Sequence, residues 1–125
     1  MQDQPSALEL LQAVRSFIQD QAIPRLEGRA AFHARIAVNA LAIVERGLEH
    51  GPVQDTAERE RLEALLDRTG SLDELNRELC RRIRAGELDL ETPGLAEHLR
   101  ETTLTKVAVD QPRYAAYRRA IGELE

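Results

Sequence analysis

A histidine in the second predicted helix is the first residue whose type and position suit it to chemistry. At about 100° per residue, His33 shares a helix face with Ala37 and Val44. An imidazole in such a place can act as an acid, a base or a ligand in a pocket. The alternative is a core histidine whose ring is hydrogen-bonded to a neighbouring helix. We favour this alternative because nothing in the spacing demands catalysis.

Three polar residues lie together on another side of the same predicted helix. Arg35, Asn39 and Arg46 fall within about 40° of one another in helical projection. They would form the polar part of a pocket, or else a solvated face or polar contacts between helices. We favour the second interpretation because such side chains are mostly exposed in proteins.

The chain's one lysine is the next candidate. Lys106 lies between Leu95 and Leu99 in helical projection, and Asp110 follows one turn later on the same face. A lysine and a carboxylate four residues apart on an apolar arc predict a partly buried ion pair. Alternatively, the lysine stem packs while its amine reaches water. A third hypothesis, which we favour less, is that Lys106 binds an anionic ligand.

A dense basic cluster follows the turn Thr69-Gly70-Ser71 and invites a helix-turn-helix interpretation. The cluster consists of Arg77, Arg81, Arg82 and Arg84. Three acidic residues reduce the net charge of the segment 71–86 to +1, so surface pairs such as Glu78 with Arg82 are sufficient to explain it. We therefore expect no nucleic-acid partner. Cys80, beside the apolar stripe of this helix, is expected to be an inert, half-buried thiol.

Sequence motifs for common cofactors and for catalysis are missing. The chain has no glycine-rich phosphate loop, no His-Glu-x-x-His, no Cys-x-x-Cys and no Gly-x-Ser-x-Gly. None of its three histidines follows a glutamate at the Glu-x-x-His spacing of di-iron bundles. We therefore predict no catalytic residue, no metal site and no cofactor.

Composition limits the fold classes and the kinds of partner that are compatible with this chain. The chain has 125 residues, 42% of them apolar, and a formal net charge of −5, which is typical of one soluble domain over residues 1–125. Aromatic residues make up only 3%, too few for the stacked-base surfaces of single-strand nucleic-acid binders. No apolar stretch reaches the roughly 18 residues that span a bilayer, and no signal peptide is visible. We therefore expect a cytoplasmic protein without membrane contact.

Hydrophobic periodicity predicts helices throughout and no strand. Capping boxes at Ser6–Glu9 and Ser71–Glu74 predict two helix starts, and Thr92-Pro93 predicts another. Gly51-Pro52 is expected to stop the second helix, which should be the most buried. The predicted helices run from about 6 to 22, 29 to 49, 56 to 70, 71 to 86 and 92 to 110, followed by a final segment. The fold class is an all-α antiparallel bundle of five or six helices.

The final segment carries a narrow apolar seam. Its members recur at spacings of three and four residues and are Tyr114, Tyr117, Ile121 and Leu124. This spacing is typical of a helix that docks on a neighbouring helix.

Several short sequence segments, in their order along the chain, make it resemble an uncharacterised family of small all-helical bacterial proteins. These segments are Leu26–Arg29, Ala31–Ala37 with Asn39–Leu41, Leu75–Arg77 with Leu79-Cys80, Ile83–Gly86 and Lys106–Tyr114. Members of the family are often encoded beside an acyl-CoA dehydrogenase and an aminoglycoside-phosphotransferase-like kinase. The resemblance implies an accessory role in acyl-CoA breakdown, as a subunit or docking partner of one of these enzymes. Its recurrent positions include a candidate pocket formed by His33, Arg35, Asn39, Lys106, Asp110 and Tyr114.

Two hypotheses about function follow. In the first, the chain is a non-enzymatic accessory protein that binds the dehydrogenase, the kinase or a second copy of itself through the apolar face near Tyr114. In the second, it is a ligand-binding or catalytic helical module with a polar pocket around His33, Lys106 and Asp110. We favour the first, because the chain is too short to be such a dehydrogenase and lacks the nucleotide loop of a kinase.

Overall fold

The computed structural model of the chain describes residues 3–125, which are all-helical and contain no strand. The α-helices are α1 (Ala7–Phe17), α2 (Gly28–Leu66), α3 (Leu72–Arg84), α4 (Leu95–Asp110) and α5 (Ala115–Ala120). A π-helical turn, Ile18–Ala22, and a 3-10 turn, Ile23–Arg25, follow α1. The predicted all-α class is confirmed. The antiparallel arrangement of a whole bundle stays a prediction.

Both predicted capping boxes are present. The Ser6 hydroxyl accepts a hydrogen bond from the Glu9 amide, and the Glu9 carboxylate accepts one of 2.7 Å from the Ser6 amide. Ser71 and Glu74 repeat this exchange at the start of α3. The backbone hydrogen bonds to both carboxylates lower the pKa of Glu9 and of Glu74. Each box therefore satisfies two amides that the first helical turn leaves without partners.

The predicted break at Gly51-Pro52 is wrong, because α2 continues through it with Pro52 inside the helix. A proline ring normally clashes with the Cβ of the residue before it. Gly51 has no Cβ and therefore removes that clash. The Thr56 hydroxyl donates a 2.9 Å hydrogen bond to the Pro52 carbonyl, one turn further on. The segments predicted as a second and a third helix are thus one helix of 39 residues.

The chain divides into two compact units, Met1–Gly51 and Pro52–Glu125, which we call unit 1 and unit 2. The prediction that residues 1–125 form one domain stays a prediction. Within unit 1 few side chains are buried. Helix α1 contains no buried residue, and only Ala31 and Glu45 are buried among the described residues of this unit. The prediction that the second helix is the most buried is wrong here, because unit 1 has few elements to cover it.

Unit 2 has a leucine core. Its buried members come from three helices and are Leu62, Leu66, Leu75, Leu79 and Leu95, with Leu65, Leu72 and Leu88 packed against them. Burial of each such side chain contributes about 1.5–3 kcal/mol before the loss of conformational entropy is counted. This core holds α3 and α4 against the last turns of α2.

Helix α4 begins two residues later than predicted. Its N-cap is Gly94, with φ at 88°, a conformation that residues with a Cβ rarely adopt. Thr92, the predicted N-cap, instead belongs to the preceding turn, where its hydroxyl accepts a 2.9 Å hydrogen bond from the Asp89 amide. Among residues 3–125, no helix combines the length and the apolar content needed to cross a membrane.

Candidate functional site

The structure places His33 on the surface of unit 1. The residue is exposed, its Nε2 atom accepts a 3.4 Å hydrogen bond from Arg29 Nε, and its ring meets the Phe32 ring edge-on at 5.6 Å. The favoured prediction of a core histidine is therefore wrong. The apolar residues that share its face are not covered by another element of unit 1.

The other polar residues predicted on this helix are also largely solvated. Arg35 and Asn39 are exposed, and Arg46 is half-buried. For the first two, the interpretation as a solvated face is confirmed. Unit 1 contains these residues and His33, whereas the remaining members of the predicted pocket lie in unit 2.

Large apolar side chains dominate the exposed surface of unit 1. On α1, Leu10, Val14 and Phe17 recur four and three residues apart, so they form one face of about 60°. The complete set, which we call the unit 1 apolar surface, consists of Leu10, Val14, Phe17, Leu26, Phe32, Ile36, Val44 and Leu48. Phe17 is 62% and Phe32 59% exposed. Exposed apolar surface of this extent is typical of sites of interaction with other molecules.

An ion pair joins the two helices that carry this surface. Arg15 Nε donates to Glu45 Oε1 at 2.6 Å, and Arg15 Nη2 donates to Glu45 Oε2 at 3.0 Å. The Glu45 side chain is 9% exposed and that of Arg15 32%. The bidentate geometry fixes the spacing between α1 and the middle of α2.

Lys106 and Asp110 line one groove in unit 2. The groove has a volume of about 220 Å³ and is lined by Gln54, Asp55 and Glu58 of α2 and by Thr105, Lys106, Val109 and Asp110 of α4. Both Lys106 and Asp110 are exposed, so the predicted partly buried ion pair is wrong. The alternative of a lysine that reaches water agrees with this exposure.

A polar seam lies on the same pair of helices, one to two turns from the groove. His98 of α4 is 3% exposed. Its Nδ1 atom, Thr102 Oγ1 and Arg61 Nε are buried and have no hydrogen-bond partner. Burial lowers the pKa of His98, the charge of Arg61 lowers it further, and Glu58 opposes the shift. We call these three residues, Arg61, His98 and Thr102, the polar seam.

Sequence reasoning missed the polar seam. In the sequence, His98 is a candidate only as a metal ligand, and it lacks the Glu-x-x-His motif for that role. The available signal was its position three residues after Leu95, which puts both side chains on one helix face. Leu95 is in the core, so a polar residue on its face is expected to be buried.

Two arginines of α3, Arg81 and Arg82, are held by carboxylates close to them in sequence. Glu78 accepts hydrogen bonds from Arg81 at 2.9 Å and from Arg82 at 2.7 Å, and Arg81 also pairs with Glu87 at 3.0 Å. These two arginines lower the pKa of Glu78 to about 2. The predicted surface pair of Glu78 with Arg82 is confirmed.

Cys80 is exposed, so the predicted half-buried thiol is wrong. The preceding residue, Leu79, faces the core, and one step of about 100° turns the next side chain to solvent. Cys80 lies in a shallow depression with Arg77 and Arg84.

The final segment leaves most of its predicted seam uncovered. Tyr114 is 55%, Ile121 42% and Leu124 38% exposed, whereas Tyr117 is half-buried. Helix α5 itself has only six residues. Docking through this seam stays a prediction.

Over residues 3–125, no group of three or more His, Cys, Asp or Glu side chains is arranged to hold a metal ion.

Comparison with known proteins gives one match. The model of a family described as a domain of unknown function, DUF6285, matches residues 24–114. No curated protein and no solved structure matches the chain. The matched residues include all of α2, α3 and α4, the groove and the polar seam.

Proposed function

Because the chain belongs to the DUF6285 family, whose description states no activity, we propose a function from its geometry: it is an accessory protein that binds another protein through the unit 1 apolar surface. The observation that carries this proposal is the contrast within unit 1. Eight large apolar side chains are exposed there, whereas Ala31 and Glu45 are its only buried residues among those described.

Physical considerations support a macromolecular partner for this surface. A unit of about 50 residues with few buried side chains has a small core, so association with another protein would add to its stability. Each large apolar side chain that a partner covers contributes about 1.5–3 kcal/mol. Several of the eight together therefore provide enough free energy for a specific complex, after the entropy cost of association is deducted.

The partner class in this proposal is an acyl-CoA dehydrogenase or a phosphotransferase-like kinase. The support is the resemblance of this chain to bacterial proteins encoded beside such enzymes. An accessory role would place the chain with these enzymes in the cytoplasm. A second copy of the chain is the competing occupant of the same surface.

The proposal is tested by size-exclusion chromatography with light scattering. The full chain is measured alone and mixed with each of the two neighbouring gene products. The double variant Phe17→Glu/Phe32→Glu places charges on the unit 1 apolar surface, and Leu90→Glu is the matched control, because Leu90 is 80% exposed and lies outside that surface. We expect a complex with one of the enzymes that the double variant loses and the control retains.

Other outcomes contradict the proposal in distinct ways. A wild-type chain that stays monomeric and binds neither enzyme would refute it. A dimer that ignores both enzymes would keep the surface as an interface but overturn the partner class. Circular dichroism of both variants confirms that α-helix content is retained.

The competing hypothesis is a polar pocket around His33, Lys106 and Asp110, and the structure of unit 2 supports the part that concerns Lys106 and Asp110. Lys106 and Asp110 line a common groove, and carboxylates of α2 complete it. His33 has a different setting, exposed beside Phe32. A ligand site in unit 2 would therefore combine Lys106 and Asp110, which the sequence suggested, with Asp55 and Glu58, which it did not.

A further inference from the structure

The middle of α2 contains no buried residue. Glu45 is buried and paired with Arg15 in unit 1, and Leu62 is buried in the leucine core of unit 2. Of the residues between them, 46–61, none is buried. Segments with few buried side chains are the places where a protein opens locally. The stiffness of this part of α2 therefore depends largely on its own backbone hydrogen bonds.

Two residues in the middle of α2 weaken the helix backbone. Pro52 lies inside the helix, and because proline has no amide hydrogen it cannot donate to the carbonyl of Leu48, which its ring also crowds. Gly51 precedes it, and glycine has more backbone freedom than any residue with a Cβ. Sharp bends in long helices occur typically at prolines. The backbone of residues 46–61 is therefore least restrained at Gly51-Pro52.

The next turn of α2 has a third feature that favours bending. The Thr56 hydroxyl donates a 2.9 Å hydrogen bond to the Pro52 carbonyl. A threonine that bonds to the carbonyl four residues earlier often bends its helix. The boundary between unit 1 and unit 2 also lies here, between Gly51 and Pro52. The least restrained point of the α2 backbone thus coincides with the boundary of the two units.

Side chains around Gly51-Pro52 offer little resistance to bending. Pro52 is exposed, and Val53 is 75% exposed, so neither packs in a core that a bend would open. The Arg15–Glu45 ion pair is wholly in unit 1, and the leucine core is wholly in unit 2. A bend at Gly51-Pro52 therefore leaves the ion pair and the core intact.

We propose that Gly51-Pro52 is a hinge at which α2 bends while unit 1 and unit 2 each stay folded. Hinges are typically a few residues that absorb a change in backbone dihedral angles. This pair provides one residue with unusual backbone freedom and one missing hydrogen bond. Bending turns the half of α2 that carries part of the unit 1 apolar surface against the half that packs in the leucine core. The hinge does not require a partner protein on that surface.

The test measures the distribution of distances between two nitroxide labels in the full chain by double electron–electron resonance. One label is attached to Cys80, the chain's one cysteine, which is exposed, and the other to Gln12→Cys at an exposed position of α1. The stiffened variant is Gly51→Ala/Pro52→Ala. It restores the missing amide, and a Cβ added at Gly51 meets no atom of another element within 4 Å. We expect a distribution at least twice as wide without these two substitutions as with them.

Two controls separate the hinge from general effects of substitution. Pro93→Ala removes an exposed proline outside α2 and should keep the wild-type width. Gly51→Ala alone adds a Cβ that clashes with the ring of Pro52, so it should not narrow the distribution. Circular dichroism of each variant checks that helix content is retained. Equal widths for the wild type and the stiffened variant, or equal narrowing by Pro93→Ala or by Gly51→Ala alone, would each overturn the proposal.

Discussion

At the scale of single residues, His98 combines burial with an unpaired polar atom. Its residue is 3% exposed, and Nδ1 has no hydrogen-bond partner. Burial disfavours the protonated ring and lowers the pKa of His98, and the positive charge of Arg61 lowers it further. The fold therefore holds this imidazole in its neutral form.

This neutral histidine predicts a pH dependence of stability. The unfolded chain takes up a proton at the ordinary pKa of 6.5, and the folded chain takes it up only at lower pH. Between these two pKa values the unfolded state binds more protons, so the free energy of unfolding falls as the pH is lowered through this window. Urea unfolding at pH 7.5 and pH 5 should show a smaller loss for His98→Leu than for the wild type.

The exposed His33 provides the control for that measurement. His33→Gln should keep the wild-type difference between pH 7.5 and pH 5. If His98→Leu loses as much stability as the wild type over this range, burial of a neutral His98 is contradicted.

Predictions about single residues are confirmed where the predicted contact lies within one helix. Ser71 with Glu74 and Glu78 with Arg82 are contacts within one helix, and both are present. They failed for His33 and Cys80, whose exposure depends on which other elements cover a helix face. The spacing of Lys106 and Asp110 placed them in one groove, but their α2 neighbours come from a distant part of the chain.

At the scale of elements, α2 carries the ion pair that connects it to α1. Arg15 is the partner of Glu45 in a bidentate contact, and α1 contributes no buried residue to unit 1. The ion pair is therefore a defined contact between α1 and α2, beside the half-buried Leu8 and Leu11 of α1.

Removing one partner of this pair should cost more than removing both. Arg15→Ala leaves the Glu45 carboxylate buried without its partner, with an expected loss of about 1–3 kcal/mol in the free energy of unfolding. Arg15→Ala/Glu45→Ala should recover part of that loss, as measured by urea unfolding. Arg25→Ala, which removes an exposed arginine of the turn after α1, is the control. Equal losses for the single and the double variant would contradict a coupled pair.

Helix boundaries show why the elements were only partly predictable. Ser6 and Ser71 start their helices through contacts within four residues, so local sequence suffices. At Gly51-Pro52, the local signal for a stop is strong, yet the glycine removes the clash and α2 continues. The start of α4 at Gly94 is likewise two residues past the Thr92-Pro93 signal, since Thr92 is engaged with Asp89.

At the scale of the whole molecule, the two units differ in which of their groups lack contacts: apolar side chains in unit 1 and polar atoms in unit 2. Unit 1 exposes apolar side chains, which favours a protein partner. Unit 2 has a leucine core and, in the polar seam, buried polar atoms without hydrogen-bond partners. The family match over residues 24–114 includes the leucine core, the polar seam and the members of the unit 1 apolar surface from Leu26 onward, whereas Leu10, Val14 and Phe17 lie outside it.

We propose that another protein covers the unit 1 apolar surface. Hydrogen–deuterium exchange, measured on the full chain alone and mixed with an acyl-CoA dehydrogenase or a phosphotransferase-like kinase, is a direct test because it reports where a partner protects the backbone. We expect at least tenfold slower exchange in α1 and in residues 28–48 of α2 in one mixture. Unchanged exchange there, with protection confined to α5 (Ala115–Ala120) or absent throughout, would contradict it.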